Sequence, residues 1–538
     1  LLDGYIQKNS NECEAVIYGR IVEGWYCSAF YYLCLWLIVE WFFKHNSIEI
    51  CLKKKMKEEE KIEACWTVCA ECQGRGKMSQ RSRKYVRLRH QQAMDAFEKN
   101  QEVGAAPVRP KSSLQPCGNC DASGLTRSPG FPIADTKNYP NIAIIGGGIG
   151  GMALAVACLH RGIPFTLYER DRSFDARAQG YGLTLQQASR AMKGFGILSL
   201  AEGVYSTNHV VHNTAGDVIS KWGMRNHMHI DVKTNPKRTN VHIARQSLRA
   251  SLLEQLGGKD AVQWGHQLTA YKERADGGVD LNFNVNGESK SQHADLVVGA
   301  DGIRSIVRSL LIGEDVTPLR YLDCIVILGI CPMADLEGVE SLLLDGATVF
   351  QTVNGTERIY VMPYSHDTVM WQLSFPMSEK EAQGLSAQGT QALKDEACRR
   401  TQWHNPVPQI VAATPVEYIS GYPVYDRELI TAQLLARSEY VTLIGDAAHP
   451  MSPFKGQGAN QALLDALALS RGIVSACRPL SDWRVTGLRK SMLNDFEAEM
   501  LERSASKVKD SAEAVQLLHS KVVLRESDAP RGRSLKGK

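Results

Sequence analysis

The chain has 538 residues, 44% of them hydrophobic and 22% charged, with a formal net charge of +4. That length and composition exclude a disordered or repeat protein and leave room for two or three globular domains with buried cores. The charge is too small to imply nucleic acid or a membrane surface, so no nucleic-acid partner is expected unless a local basic footprint supplies one. The first residue is Leu1 and the first methionine is Met56. Between them, Trp25 to Phe43 is apolar apart from Ser28 and Glu40, and Lys44, Lys53, Lys54, Lys55 and Lys57 follow. Residues 1–55 therefore read as translated sequence upstream of a start at Met56, or as a segment carrying a transmembrane helix with its C-terminal side in the cytoplasm. A cytoplasmic protein is expected, membrane-anchored only if residues 25–43 are native.

Residues 56–127 make a cysteine module. Of 14 cysteines, seven fall in the first 72 residues, and Cys69-Ala-Glu-Cys72-Gln-Gly-Arg-Gly76 is echoed by Cys117-Gly-Asn-Cys120-Asp-Ala-Ser-Gly124. The two sulfurs of a C-x-x-C pair sit on one tight turn, the glycines free backbone N–H groups to point at them, and two such turns close a tetrahedral thiolate site. Cys69, Cys72, Cys117 and Cys120 are thus candidate zinc ligands, with a disulfide or redox pair and a metal-free cluster as the alternatives. These half-motifs resemble the C-x-x-C-x-G-x-G repeats of DnaJ-type zinc ribbons. The 44 residues between the pairs exceed the ribbon spacing and require an insertion. It carries Arg81, Arg83, Lys84, Arg87 and Arg89 and a predicted helix from Gln91 to Lys99. A solvated helix face accounts for this basic run; contact with RNA or an acidic partner is the sharper reading. Residues 128–138, with Pro129, Gly130 and Pro132, read as a linker.

The stretch Asn141 to Arg170 organises the rest of the chain. Ile142 to Ile145 is an apolar strand, and Gly146, Gly148 and Gly151 then fall on the G-x-G-x-x-G spacing at the mouth of a helix. Gly146 allows the tight turn, Gly148 lets a pyrophosphate approach the backbone, and Gly151 lets helix and strand pack closely. Ile149 and Gly150 complete that turn, whose helix N-terminus offers free N–H groups. Glu169 closes a second strand 23 residues after Gly146, where a carboxylate accepts hydrogen bonds from a ribose, and Arg170 follows it. Next come a glycine-punctuated segment from Arg177 to Leu185, a predicted helix from Gln187 to Phe195, and a strand edge leading into an amphipathic helix at Val241 to Leu256, with Arg245 at the junction.

Two further strand-to-turn motifs complete a set. In Ala294 to Arg308 the turn holds Gly299, Asp301 and Gly302; in Tyr440 to Ala466 it holds Gly445 and Asp446, and a loop with Pro453, Gly456 and Gly458 opens a helix at Ala459. The three motifs, in this order and spacing, resemble the group A FAD-dependent monooxygenases, the flavoprotein aromatic hydroxylases of the p-hydroxybenzoate hydroxylase fold. The resemblance covers residues 141 to 519. It implies an α/β fold: a Rossmann-like FAD-binding domain in two parts, 139–318 and 440–475, an inserted antiparallel-sheet substrate domain at 319–439, C-terminal helices at 476–520 and a basic tail at 521–538. It also implies that Asp301 and Gly302 touch FAD and the reduced nicotinamide, that Asp446 binds the flavin ribitol, and that Gly456 and Gly458 face the pyrimidine edge of the flavin. Arg245 matches an arginine near the flavin and Arg177 a second one. Lys455 is a candidate for stabilising reduced flavin or holding an anionic substrate, with a solvent-facing lysine as the alternative, and His449 for orienting groups by hydrogen bonding.

The implied chemistry is the cofactor's. NAD(P)H reduces FAD, O2 adds to give a C4a-hydroperoxyflavin, and one oxygen passes to an aromatic or polyketide-like small molecule. No catalytic triad is expected, and the absence of a second G-x-G-x-x-G fits transient docking of NAD(P)H. Strand-like runs at Ala347 to Val353, Arg358 to Pro363 and Val369 to Phe375 predict the substrate-domain sheet, with Trp371, Leu373 and Phe375 on its core face. The segment from Trp371 to Pro376 lacks the second tryptophan of the flavin-halogenase W-x-W-x-I-P pattern, so halogenation is not expected. A redox-sensing or partner-binding flavoprotein, and an FAD-dependent dehydrogenase or isoprenoid epoxidase, are the alternative functions.

Overall fold

Strand β5 (Ile142–Ile145) is buried at every residue, and it takes a place that only an all-apolar strand tolerates, inside a parallel sheet covered on both faces. The computed structural model describes residues 65–80, 84–99, 107, 113–177, 180–223 and 240–526, which belong to one unit, Ala64–Lys538. The stretch Trp25–Phe43 and the tail beyond residue 526 lie outside the described residues. Among the described residues no helix is long and apolar enough to cross a membrane.

The parallel sheet has five strands in the order β12 (Val262–Trp264), β6 (Phe165–Glu169), β5, β16 (Leu296–Gly299) and β22 (Val441–Leu443). Helices α2 (Ile149–Leu159), α3 (Arg245–Gln255) and α8 (Gly458–Ala476) share its core, and so does the antiparallel meander β13 (His266–Glu273), β14 (Val279–Val285) and β15 (Glu288–Ala294). Tyr168 of β6 stacks on Phe283 of β14 with ring centroids 4.4 Å apart. The predicted stripe Leu248, Leu252, Leu253 and Leu256 is buried against this core. A small antiparallel sheet, β7 (Gly182–Leu185), β11 (Val241–Ala244) and β8 (Val204–Tyr205), bridges to the second half of the molecule.

That half is a seven-stranded sheet in the order β10 (Val218–Trp222), β9 (Asn208–His212), β18 (Thr348–Val353), β19 (Arg358–Pro363), β20 (Thr368–Pro376), β17 (Arg320–Pro332) and β21 (Ile419–Asp426). All its pairings are antiparallel except β9 with β18. One face buries Trp371, Leu373 and Phe375 under helices α5 (Glu379–Ala387), α6 (Thr390–Arg400) and α7 (Val407–Ala413). The alternate residues Leu328, Met362 and Met370 form a separate cluster on the opposite face, as the period-2 geometry of a strand requires.

Three elements depart from the expectation. Strands β9 and β10 come from inside residues 139–318 yet join the substrate sheet, because β9 finds its partner 140 residues away in β18. The helix expected at Gln187 to Phe195 is two 3-10 turns, Gln187–Ser189 and Ala191–Phe195, ended by Gly196 in the left-handed region. Within the expected basic tail, the 3-10 turn Lys521–Leu524 buries Val523, which is 1% exposed.

The C-terminal helix α9 (Asn494–Leu518) follows a π turn, Arg489–Leu493, and Met492 in that turn and Phe496 and Met500 in the helix are buried at helical spacing. Its first turn is tied to β22: Arg489 pairs with Glu497 at 2.7 Å, and Thr442 Oγ1 donates to the same carboxylate at 2.8 Å. In the cysteine module, β1 (Trp66–Val68) pairs with β4 (Leu125–Arg127) and β2 (Lys77–Gln80) with β3 (Ser113–Pro116). Helix α1 (Lys84–Lys99) lies between β2 and β3, starts before the expected Gln91, and has no buried residue, which fits a solvated face. The short helix α4 (Ile306–Ile312) completes the half built on the parallel sheet.

Candidate active site and cysteine centre

The glycine turn divides its labour as the spacing suggests. A Cβ on Gly146, whose φ is +109°, would lie 2.6 Å from Ala300 O, and one on Gly151 would lie 1.9 Å from Gly146 O. These two glycines let the turn after β5, the turn after β16 and α2 pack backbone on backbone. Gly148 is different: the nearest atom to its would-be Cβ is Ala300 O at 3.9 Å. It is also the N-cap of α2 and makes no side-chain cap, so the first N–H groups of a buried helix face open space. Ile149 is 8% exposed, and Gly150 packs toward Ala462. Glu169 is 9% exposed and accepts from Gly147 N at 2.6 Å and Asp171 N at 2.9 Å, so the carboxylate expected to meet a ribose also props the turn. Arg249, which the spacing of motifs does not single out, is 4% exposed and donates Nε and Nη2 to Gly147 O at 3.2 and 3.1 Å. A charged residue inside the leucine stripe of α3 is the signal that could have found it. Arg170 is not brought to this turn's interior: it is exposed in the bend after β6, and Arg177 closes the 3-10 turn Phe174–Arg177.

The second and third motifs are locked together by a buried cation. Arg308 of α4 donates to Ala447 O and Ala448 O at 2.9 Å, to Thr317 Oγ1 at 2.7 Å and to Glu428 O at 3.2 Å. The Asp301 carboxylate accepts from Ser305 Oγ at 2.5 Å, Ile306 N at 2.8 Å and Val307 N at 3.3 Å. It therefore caps α4 within its own turn. Gly302 next to it has no atom within 4 Å of its would-be Cβ.

Gly445 N donates to Asp465 Oδ2 at 2.8 Å, and His449 Nε2 bonds the same oxygen at 2.7 Å while Arg503 holds Oδ1 at 2.8 Å. His449 is 0% exposed. Burial works against its charge, but the Asp465 carboxylate outweighs that and holds the imidazole pKa above its usual value. It is a positioning residue for the Gly445–Asp446 turn and does not line the cavity. The Asp446 carboxylate does line it, and burial pushes its pKa up against the opposing pull of His449 and Arg245. Arg245, the first residue of α3, thus sits within electrostatic reach of Asp446 and hydrogen-bonds the Tyr181 side chain.

Pro453, Lys455, Gly456, Gly458 and Ala459 meet at the mouth of a cavity of about 1220 Å³ between the two halves of the molecule. Helix α8 begins there at Gly458 with no side-chain cap, a second N-terminus whose donors are left for a ligand. Asn460, 0% exposed, ties this end to the β7 segment: it accepts from Gln186 N and Ala188 N and donates to Thr184 O and Gly456 O at 2.9–3.1 Å.

The far wall is the sheet face carrying Met362, Met370, Tyr360 and Gln372, closed by Tyr422 and Phe454. Arg358 lies among them, 5% exposed, with Nε donating to Gln351 Oε1 at 2.8 Å and its guanidinium 5.1 Å from the Tyr360 ring. No carboxylate among the described residues pairs with it. His209 and His242 also line the cavity, and burial lowers them to about 4 and about 3, so both are neutral at pH 7. His209 stacks on Trp222 at 5.3 Å, and His242 bonds Thr184 Oγ1 and Ser206 Oγ. Arg358, Gln372, Tyr422, His209 and His242 did not stand out in the sequence, where they are single positions in ordinary strands.

The four module cysteines converge as expected. Cys69, Cys72, Cys117 and Cys120 are buried, and their sulfurs all lie within 4.8 Å of one another. The cross-pairs Cys69–Cys117 and Cys72–Cys120 are 4.0 and 3.6 Å apart. Four sulfurs at about 2.3 Å from a tetrahedral zinc stand about 3.8 Å from one another, so the set fits that ion. Gly76 N and Gly124 N each point at a sulfur, Cys72 and Cys120, at 3.2 and 3.3 Å. The two knuckles also cross-bond, Cys69 N to Gly124 O at 2.9 Å and Cys117 N to Gly76 O at 3.0 Å.

Uncapped donors at two helix ends, an open glycine face and the Asp446 acceptor fit a dinucleotide with a pyrophosphate and a polyol. Residues 139–483, more than half of the chain, match the FAD binding domain family. The aurachin C monooxygenase/isomerase of Stigmatella aurantiaca is 29% identical over 368 residues, 67% of this chain and 88% of that protein. The 3-amino-4-hydroxybenzoate 2-monooxygenase PtnB3 of Streptomyces platensis is 28% identical over 341 residues, 62% of this chain and 80% of that one. The structure of Klebsiella pneumoniae HpxO complexed with FAD and uric acid has a similar fold, with a TM-score of 0.59 and 23% identity over 74% of this chain and 95% of that one. The chain belongs to the FAD binding domain family and is an FAD-dependent monooxygenase of the p-hydroxybenzoate hydroxylase-like fold.

Proposed function

We propose that this monooxygenase uses NAD(P)H and O2 to hydroxylate an aromatic or polyketide-like small molecule that carries an acidic group. The observation that carries the reading is Arg358, a buried cation without a carboxylate partner among the described residues, set in the cavity wall opposite the α8 N-terminus. A carboxylate or phenolate on the substrate would supply the missing charge through short, charge-assisted hydrogen bonds. Tyr360, Tyr422, Met362 and Met370 offer flat and polarisable surface for the rest of the molecule.

When bound, FAD supplies hydride acceptance and oxygen activation. The chain's own residues would hold it through the Gly148 face, the first turn of α2, Asp446, and the Gly456 to Ala459 backbone. The α8 N–H groups favour negative charge beside them. Arg358 orients the substrate, and the walls keep water away from it. The relative from Streptomyces platensis is named for an aminohydroxybenzoate, which agrees with an acidic aromatic substrate.

The test is anaerobic titration of the purified protein with NADPH and NADH, alone and with phenols that do and do not carry a carboxylate, followed by turnover under isotopically labelled dioxygen. Acidic phenols that accelerate flavin reduction and emerge with one labelled oxygen support the proposal. Reduction indifferent to every phenol, with no label in any product, rejects it.

A further inference from the structure

Outside the cavity, unpaired buried charge concentrates where the cysteine module meets the flavin-binding half. Arg161, just past the end of α2, is 4% exposed; Nη1 donates to Ala157 O at 2.9 Å, while Nε and Nη2 have no partner. Arg471 of α8 donates Nε to Gly74 O at 3.0 Å and Nη2 to Ser123 O at 3.5 Å. Gly74 and Ser123 are the turn residues just beyond Cys72 and Cys120, and a Cβ on Gly74 would lie 3.8 Å from Arg161 Nε. Among the described residues no carboxylate pairs with either guanidinium. Trp66 of β1 seals the edge of this interface, close enough to Gly196 that a Cβ there would fall 2.4 Å from the indole.

A buried guanidinium with donors left over, such as Arg161, and the half-buried Arg471 beside it favour a nearby counter-charge, and the three states of the cysteine cluster differ in what they offer. Four thiols are neutral, and so are two disulfides. Four thiolates around a divalent ion carry −4 + 2, a net charge of −2, which matches the two arginines. We propose that Cys69, Cys72, Cys117 and Cys120 bind one zinc ion as a tetrathiolate, releasing four protons, and that Arg161 and Arg471 neutralise it and so fasten the module to the ends of α2 and α8. The proposal is independent of the substrate and of the reductant. It makes zinc part of the stability of the flavin-binding half, although the ion stands apart from the cavity.

The test uses the full chain expressed with zinc. Metal analysis is expected to give about one zinc per chain. Release to a chromogenic chelator should be at least about 10-fold faster in Arg161→Gln and Arg471→Gln than in the parent, with Arg471→Lys, which keeps the charge, restoring slow release. Stripping the metal with a thiol-reactive mercurial and then a reductant should lower the calorimetric unfolding temperature of the main transition. Where Arg161→Gln does not fold, the contrast between Arg471→Gln and Arg471→Lys carries the comparison. Less than about a tenth of an equivalent of metal, or a bound iron visible by its charge-transfer absorbance, overturns the zinc assignment. Zinc that leaves all variants at the parent rate, or whose loss leaves the unfolding temperature unchanged, overturns the charge-matched clamp.

Discussion

Arg308 and Arg358 are buried to nearly the same degree, 2% and 5% exposed, and burial pushes both guanidinium groups down to about 10. Both therefore stay charged at neutral pH. Their surroundings differ. Between the second and third motifs, Arg308 meets four oxygens: three backbone carbonyls and one hydroxyl. In the cavity wall, Arg358 makes one side-chain hydrogen bond, to Gln351. A buried cation whose donors are all placed belongs to the frame, and one with donors left over faces a ligand. The same contrast separates Asp465, held on both oxygens by His449, Gly445 N and Arg503, from Asp446, which opens on the cavity.

The contrast breaks most visibly at Arg308. Arg308→Met should strand its carbonyl acceptors and cost about 3–5 kcal/mol of stability, read by urea or thermal unfolding; an unchanged unfolding midpoint would remove Arg308 from the frame. Arg358→Met should leave stability unchanged or raise it, since it deletes an uncompensated charge. It should lift KM about 10- to 100-fold for an acidic aromatic and not for its uncharged analogue. Equal losses for both substrates would mean that Arg358 shapes the wall and does not read charge. Asp446→Ala should weaken FAD retention about 10-fold, measured by flavin release on dilution, with the fold intact; full retention sinks the ribitol role.

The smallest effect concerns pH. With its folded pKa raised by Asp465 above the unfolded 6.5, charged His449 stabilises the fold fully below that value and loses the contribution as pH rises through its folded pKa. Asp465→Asn should flatten that alkaline decline in unfolding temperature, and identical pH profiles for the two proteins would refute the coupling. Asp465 itself, depressed below 3.8 by His449 and Arg503 despite its burial, contributes above 3.8 and loses the contribution as pH falls through its folded value.

What the sequence made legible was local. Strand, glycine turn, helix and acid lie within 30 residues of chain, and the jobs of Gly146, Gly148 and Gly151 follow from spacing alone. The cysteine knuckles were readable for the same reason. Hidden in the sequence was whatever depends on a partner brought from far away. Strand β9 needed β18 before it could be assigned to a sheet. His449 was readable as an orienting group, but the carboxylate it holds, Asp465 of α8, was not. Arg249, Arg358 and Asn460 are ordinary letters in ordinary elements, and only the neighbours that folding supplies distinguish them.

The bond from Arg471 to Gly74 joins residues 397 positions apart. During synthesis the knuckles emerge first and can close on each other, because their cross-bonds need nothing beyond residue 124. Their seat is not complete until α8 has left the ribosome, so part of this surface stays open while most of the enzyme is being made. Contacts of such long range are slow to form and come late in folding. The cysteine module, early in the chain, is thus locked in place by one of the last elements to be made.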